Sequence, residues 1–419
     1  MTGPPGQPWT YPPAHRPSER SRASGGYPGA PAAPAVPGAP HAAGPAVPMS
    51  AAAAQPRRSP VPVVGTIAIV AGLIGVVVVL GIVWSETSAA STFVAFLAAL
   101  VPLSVVMAAV LWLDRWEPEP RRLLLLTFLW GAGVSTASAL GINTFLARAI
   151  HSASGDPGVT QLLAAVAVAP VVEETLKGAG LLGLFLLSRR LFDGAVDGVV
   201  YAATIAAGFA FTENVLYFAR GEMAAALGQV FFARAVVSPF AHIIFTTCMG
   251  LAIGLASVRA RRVTVALLVF PLGWLAAVGL HALWNVTSFL GEAFLLGYLV
   301  LQVPIFLAFL ALGLWLRRQE RRMLAARLGD YLQQGWFAPH EVAMLTSLRR
   351  RADALRWAGR YGVRAKDAMA QFQRNATRIA LLRNRAVHGR APADMEARER
   401  RLLASLSENR RAFAAASAR

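Results

Sequence analysis

Between residues 61 and 316 the chain carries eight runs of mainly apolar residues, each long enough to cross a bilayer as a helix. A spanning helix needs about 20 such residues. The runs cover 61–84, 90–113, 123–147, 160–187, 195–218, 229–257, 263–288 and 293–316. In hydrocarbon every backbone N–H and C=O must find a partner inside the protein, so only helices and closed barrels span. None of the runs alternates with period two, which argues against a barrel. The expected fold is all-α, a polytopic membrane protein with about eight transmembrane helices. Composition agrees: 56% of residues are hydrophobic and only 15% charged, against about 25% charged in soluble domains. The fourth and sixth runs are long enough to tilt or break, and Pro170 and Pro239 mark where a break could occur.

Arginine gives the expected orientation, because cytoplasmic loops collect Lys and Arg. Arg57 and Arg58 precede the first run. Arg115, Arg121 and Arg122 follow the second, and Arg189 and Arg190 the fourth. Arg259, Arg261 and Arg262 follow the sixth, and Arg317, Arg318, Arg321 and Arg322 the eighth. The intervening loops hold only Arg148 and Arg220, so the count is 14 against 2. Both termini are therefore expected in the cytoplasm, with the chain a multi-pass protein of the plasma membrane.

Two flanking regions differ from this core. Residues 1–60 hold 15 of the 26 prolines and no apolar segment near Met1. They read as a disordered Pro/Ala/Gly-rich cytoplasmic tail, without a signal peptide. Residues 317–419 carry 23 Lys or Arg against 9 Asp or Glu, which is +14 of the chain's net +18. Helical periodicity in 341–360 and 366–388 predicts three or four amphipathic helices in a basic cytoplasmic tail. Such a tail suits anionic lipid headgroups, or is simply a solvated helical region. No zinc-finger or helix-turn-helix signature points to nucleic acid. The single cysteine, Cys248, excludes an intramolecular disulfide and a Cys-rich zinc site.

Ionisable residues inside spans are costly and usually paired, water-facing or functional. The fourth run holds Glu173, Glu174 and Lys177. Lys177 is i+4 from Glu173 and i+3 from Glu174, so it can pair with one carboxylate and leave the other without a local partner. The fifth run holds Glu213 followed by Asn214, with Asp197 near its start. His242 lies in the sixth run, and His281 with Asn285, i,i+4 on one helix face, in the seventh. Each cluster alone also fits a structural role, as a Glu–Lys–Glu packing network or an interhelical hydrogen bond. Together they supply what peptide hydrolysis needs. A carboxylate can take a proton from water, imidazoles can bind a metal or polarise the water, and a carboxamide can donate to an oxyanion. Two His and one Glu are also a common catalytic zinc set, although no HExxH is present. Gly194-x-x-x-Gly198 and Gly250-x-x-x-Gly254 suit close helix packing.

These motifs, in this order, resemble the PrsW family of intramembrane proteases, related to the CAAX-prenyl endopeptidase and bacteriocin-processing group. The matching pieces are Glu173-Glu174-x-x-Lys177, Asp197-Gly198-Val199-Val200-Tyr201, Phe209-x-x-x-Glu213-Asn214, His242 and His281-x-x-x-Asn285. The loop Asp114-Arg115-Trp116-Glu117-Pro118-Glu119-Pro120 also looks like a family loop. The resemblance covers about 114–290. It implies that Glu173 and Glu174 are needed for activity, one of them as general base. It implies Glu213, His242 and His281 as metal ligands or water-polarising groups, and Asn285 as an oxyanion donor. The prenyl endopeptidases have His where this chain has Glu213, which favours the PrsW branch. The implied cofactor is Zn2+ or another divalent ion. A glutamate-dependent reaction without metal uses the same residues, and the sequence does not choose. The implied substrate is a single-span membrane protein such as an anti-sigma factor. It would be cut near its extracytoplasmic boundary, as the first cut in regulated intramembrane proteolysis. Two other classes use similar residues: a proton- or cation-coupled transporter with buried Glu and His, and an inactive scaffold binding single-span proteins. No internal repeat supports the transporter.

Overall fold

The computed structural model describes residues 61–417, apart from 190, 191, 193, 221–223 and 260–262. The expected Pro-rich tail, residues 1–60, lies outside the described residues, as do Arg190, Arg261 and Arg262. The described residues form helices and no strand. Eight are long and apolar enough to cross a membrane. They are α1 (Val61–Glu86), α2 (Ala89–Leu113), α3 (Arg121–Ser154), α4 (Pro157–Leu187), α5 (Ala195–Arg220), α6 (Gly228–Ser257), α7 (Thr264–Ser288) and α8 (Gly291–Gln333). The outer helices carry wide exposed apolar faces, with Ile67, Val77, Leu268 and Leu296 among the exposed residues. In water a patch of that extent is a liability; against lipid tails it costs nothing.

The two prolines act differently. At Pro239 the helix does break: a π turn over Phe232–Val237 ends at Ser238, and the α-helix restarts at Ala241. At Pro170 it does not. A π turn over Ala164–Val168 runs directly into the α-helix Ala169–Leu187, with Pro170 in its first turn. The proline's missing N–H falls where the π turn has already interrupted the i→i+4 ladder.

Helix α5 is the most enclosed span, and its small residues make that enclosure possible. A Cβ on Gly198 would lie 2.1 Å from the Gly250 carbonyl oxygen of α6. Ten residues further along α5, a Cβ on Gly208 would lie 2.1 Å from the Phe128 carbonyl oxygen of α3. Without a hydrophobic force between helices in lipid, such close backbone approach and its dispersion contacts hold the bundle together. These packings place α5 and α6 beside α4, with the motif residues facing one another.

Helix α8 continues past the expected boundary at 316 and ends at Gln333. Four helices follow: α9 (Pro339–Leu345), α10 (Leu348–Gly359), α11 (Val363–Val387) and α12 (Met395–Ser417). They are not a loose solvated tail. Leu324, Leu328, Met344, Leu345, Met369, Phe372 and Phe413 form a buried core beneath the arginines. Phe372 and Phe413 meet edge-to-face at 5.6 Å, a favoured aromatic geometry. Arg317 of α8 donates to the Trp112 carbonyl of α2 at 2.7 Å. The bundle touches the membrane helices through Arg390, which donates to the Ser257 carbonyl at 3.3 Å.

The loop joining α2 to α3 sits under this bundle and is rich in carboxylates. The Asp114 carboxylate accepts the Glu119 amide at 2.9 Å, and Glu119 accepts the Tyr201 hydroxyl of α5. A cavity of about 590 Å3 separates the loop from α10 and α11, with Glu117, Glu119 and Asp197 facing Arg351, Arg374 and Arg385. Burial pushes Asp114 up to about 6. Burial, with Asp197 and other carboxylates nearby, pushes Glu117 and Glu119 up to about 8. A carboxyl group whose pKa is raised by folding holds its proton more tightly in the folded state. Its contribution to stability is full below the unfolded pKa and is lost as pH rises through the folded value. The melting temperature of the purified protein is therefore expected to fall between about pH 4.5 and 8. The Glu117→Gln/Glu119→Gln variant should flatten that slope. A double variant with the wild-type slope would remove these carboxyls as the cause.

Candidate active site

The motif residues of four separate spans converge inside the bundle. Glu173, Glu174 and Lys177 are all buried on α4, and His281 is buried on α7. Lys177 Nζ donates to Glu174 Oε1 at 2.8 Å and to His242 Nδ1 at 3.1 Å. It lies 3.7 Å from Glu173 Oε2 and 3.9 Å over the Phe209 ring. As the sequence spacing suggested, Lys177 pairs closely with one glutamate and only loosely with the other.

Hydrogen bonding fixes both imidazoles. An ammonium only donates, so the Nδ1 of His242 accepts from Lys177. Its Nε2 then carries the proton and donates to Glu213 Oε2 at 2.8 Å. His281 Nδ1 faces Glu174 Oε1 at 3.1 Å and donates to it. That leaves His281 Nε2 turned toward Glu173 Oε2, 3.9 Å away. Phe245 stacks on the His281 ring at 4.9 Å, and the two imidazole rings meet edge-to-face at 5.2 Å.

The two adjacent glutamates have different surroundings. Glu174 is saturated: Lys177, His281 and the Thr246 hydroxyl, 2.8 Å from Oε2, all point at it. Glu173 accepts only a long 3.4 Å contact from Asn143 on Oε1. Its Oε2 is buried with no hydrogen-bond partner among the described residues. A buried bare carboxylate oxygen is expensive unless something occupies the site. An imidazole nitrogen and a bare carboxylate oxygen 3.9 Å apart leave room for a water molecule or a cation between them.

A ligand-grade cluster does exist. One ligand atom each from Glu173, His242 and His281 lies within 4.8 Å of the others. The sequence reading grouped Glu213 with the two histidines instead. The structure gives Glu213 to Arg234, which holds it in a close ion pair, and to His242. The residues fit a divalent ion in donor chemistry, since Glu174 and Glu213 back the two imidazoles as outer-shell carboxylates do in metal sites. Both His242 nitrogens are engaged, so ligation by His242 requires one of its present partners to yield.

Asn285 is placed away from the cluster. Its side chain donates to the Ala165 carbonyl at 2.7 Å, within the π turn of α4. Asp197 accepts the Gly194 amide at 2.9 Å at the start of α5 and belongs to the loop-facing end. Three contributors were missed in the sequence. Arg234 also donates to Asn214 Oδ1 at 2.6 Å, Asn143 reaches Glu173, and Thr246 reaches Glu174. Arg234 was legible as a charge inside the sixth apolar run; the other two carried no signal beyond being polar.

Comparison with known proteins adds an independent line. The description "PrsW family intramembrane metalloprotease" matches residues 119–312. A protein named Protease PrsW from Clostridioides difficile (strain 630) is 33% identical over 156 residues, which is 37% of this chain and 63% of that one. A protein of the same name from Geobacillus kaustophilus (strain HTA426) is 30% identical over 153 residues, 36% of this chain and 61% of that one. The chain thus spans less than two thirds of the length of either relative. No solved structure matches it.

Proposed function

We propose that the chain is an intramembrane endopeptidase hydrolysing a single-span membrane protein, a reading supported by the match of residues 119–312 to the PrsW family of intramembrane metalloproteases. The observation that carries this reading is the bare Glu173 Oε2 beside His281 Nε2, deep among four spans. Glu173 holds the attacking water and takes its proton. Glu174 positions His281 in the required tautomer, and Glu213 does the same for His242. Lys177 and Arg234 balance the carboxylates, so the cluster survives burial. Glu173, His242 and His281 are the residues that would hold a divalent ion such as Zn2+. When bound, that ion supplies Lewis acidity and a more acidic water.

The protein sits in the plasma membrane with its arginine-rich loops and both termini in the cytoplasm. In that orientation Glu213 and His281 lie nearer the extracytoplasmic ends of α5 and α7, so water enters from outside. The substrate is cut near its outer membrane boundary, as in the first cut of an anti-sigma factor. The test is to map new peptide ends in membranes of cells with and without this chain, under several envelope stresses. Ends that need the chain and lie at the outer edge of a single-span protein would support the reading. A map with no chain-dependent ends under any stress would count against it.

A further inference from the structure

A second site lies on the C-terminal bundle, away from the buried glutamates. A cavity of about 430 Å3 opens between α11 and α12, beside the α2–α3 loop. Four of its lining residues are arginines: Arg378 and Arg385 from α11, and Arg398 and Arg401 from α12. The only carboxylate among the lining residues is Glu117. Positions seven apart on α11 and three apart on α12 each share one helix face, so the two helices present their guanidinium groups to a common space. Asn375 donates to Ser405 at 2.9 Å and closes one end, and Leu381, Leu382 and Leu402 give the cavity an apolar floor.

The cavity lining carries four guanidinium groups against one carboxyl group. Arg398 is paired with Asp394 at 2.8 Å. Arg378 and Arg401 are exposed and have no ion-pair partner among the described residues. Burial, with the like charges of Arg390 and Arg398 adding to it, holds the Arg385 pKa below its ordinary value. Glu117, pushed up to about 8, brings little negative charge at neutral pH. An arginine-lined cavity with an apolar floor matches a phosphate group with a short organic body attached. Guanidinium forks bind such oxygens in pairs. The space is too small for a nucleic-acid duplex.

We propose that this cavity binds a phosphate-bearing ligand, held by Arg378 and Arg401 together with Arg385 and Arg398. The phosphate comes either from a free cytosolic compound or from the headgroup of an anionic lipid at the adjacent membrane surface.

The full-length protein in phosphatidylcholine nanodiscs is titrated with pyrophosphate by calorimetry, with citrate as a non-phosphate anion. Phosphatidylglycerol retained by the protein is counted separately by native mass spectrometry. Arg378→Gln/Arg401→Gln is compared with Arg349→Gln/Arg364→Gln, which removes the same charge from exposed positions outside the cavity. Neither pair belongs to the buried core, so both proteins should fold. The expected result is pyrophosphate binding, or retained phosphatidylglycerol, weakened at least about tenfold by the first pair and little by the second, since each charged hydrogen bond contributes appreciably. Pyrophosphate binding identifies the free source, and lipid retention alone the headgroup. Equal loss in both pairs, citrate binding as tightly as pyrophosphate, or no binding of either phosphate probe would overturn the assignment.

Discussion

Glu173→Gln is expected to abolish cleavage while leaving the folded protein at normal abundance. The substitution keeps the side-chain shape and the oxygen that faces Asn143. It replaces Oε2, a buried site oxygen with no hydrogen-bond partner among the described residues, by an amide that takes no proton. Lys177 keeps Glu174 at 2.8 Å, so no buried cation is stranded. Removing a general base typically costs about 10²–10⁴ in rate, and loss of a ligand from a catalytic ion costs at least as much. Metal content separates the two roles. If Glu173 is a ligand, wild-type protein purified with a divalent ion should lose that ion in the variant. If it is a base alone, the metal content of the two should match. Cleavage by the variant within about threefold of wild type would remove Glu173 from the chemistry altogether.

Much of this architecture was legible in the sequence because lipid leaves few choices. Eight apolar runs became eight spans, and the break at Pro239 followed from the missing N–H. At Pro170 the possible break does not form, because the local effect of the proline depends on a π turn that apolar sequence does not announce. The polar residues of the site were legible one by one, since each is anomalous inside an apolar run. Their partners were not. Spacing along a helix reports contacts three or four residues apart, which covers Glu174 and Lys177. The contacts of Glu213 with His242 and of Glu173 with His281 depend on how α4 to α7 pack. That packing also moved the grouping of ligand atoms from Glu213 to Glu173, because Arg234 claims Glu213 from the next span. The C-terminal bundle was underread for another reason. Its arginines dominate the composition, whereas its core rests on widely spaced residues such as Leu328, Phe372 and Phe413.

Lys177→Met should be the most destabilising single change in the site. Lys177 is fully buried, donates to Glu174 and His242, and lies 3.7 Å from the Glu173 carboxylate. Methionine fills the same volume but strands the fully buried Glu174 beside Glu173 and Glu213, with Arg234 the only remaining cation contacting the group among the described residues. Breaking a buried pair by removing one partner typically costs about 3–5 kcal/mol. Unfolding in mixed micelles should therefore show a loss of that size, with reduced abundance in cells. Neutralising both partners is a different matter, because a buried pair gains little net stability over neutral groups of similar shape. Lys177→Met/Glu174→Gln should recover much of the loss, since the carboxamide introduced at that position still accepts from Thr246 or His281. The double-mutant cycle would then report a large coupling between the two positions. If Lys177→Met unfolds like wild type, the carboxylates around it must be protonated, and the charge balance assigned to Lys177 and Arg234 would have to be redrawn.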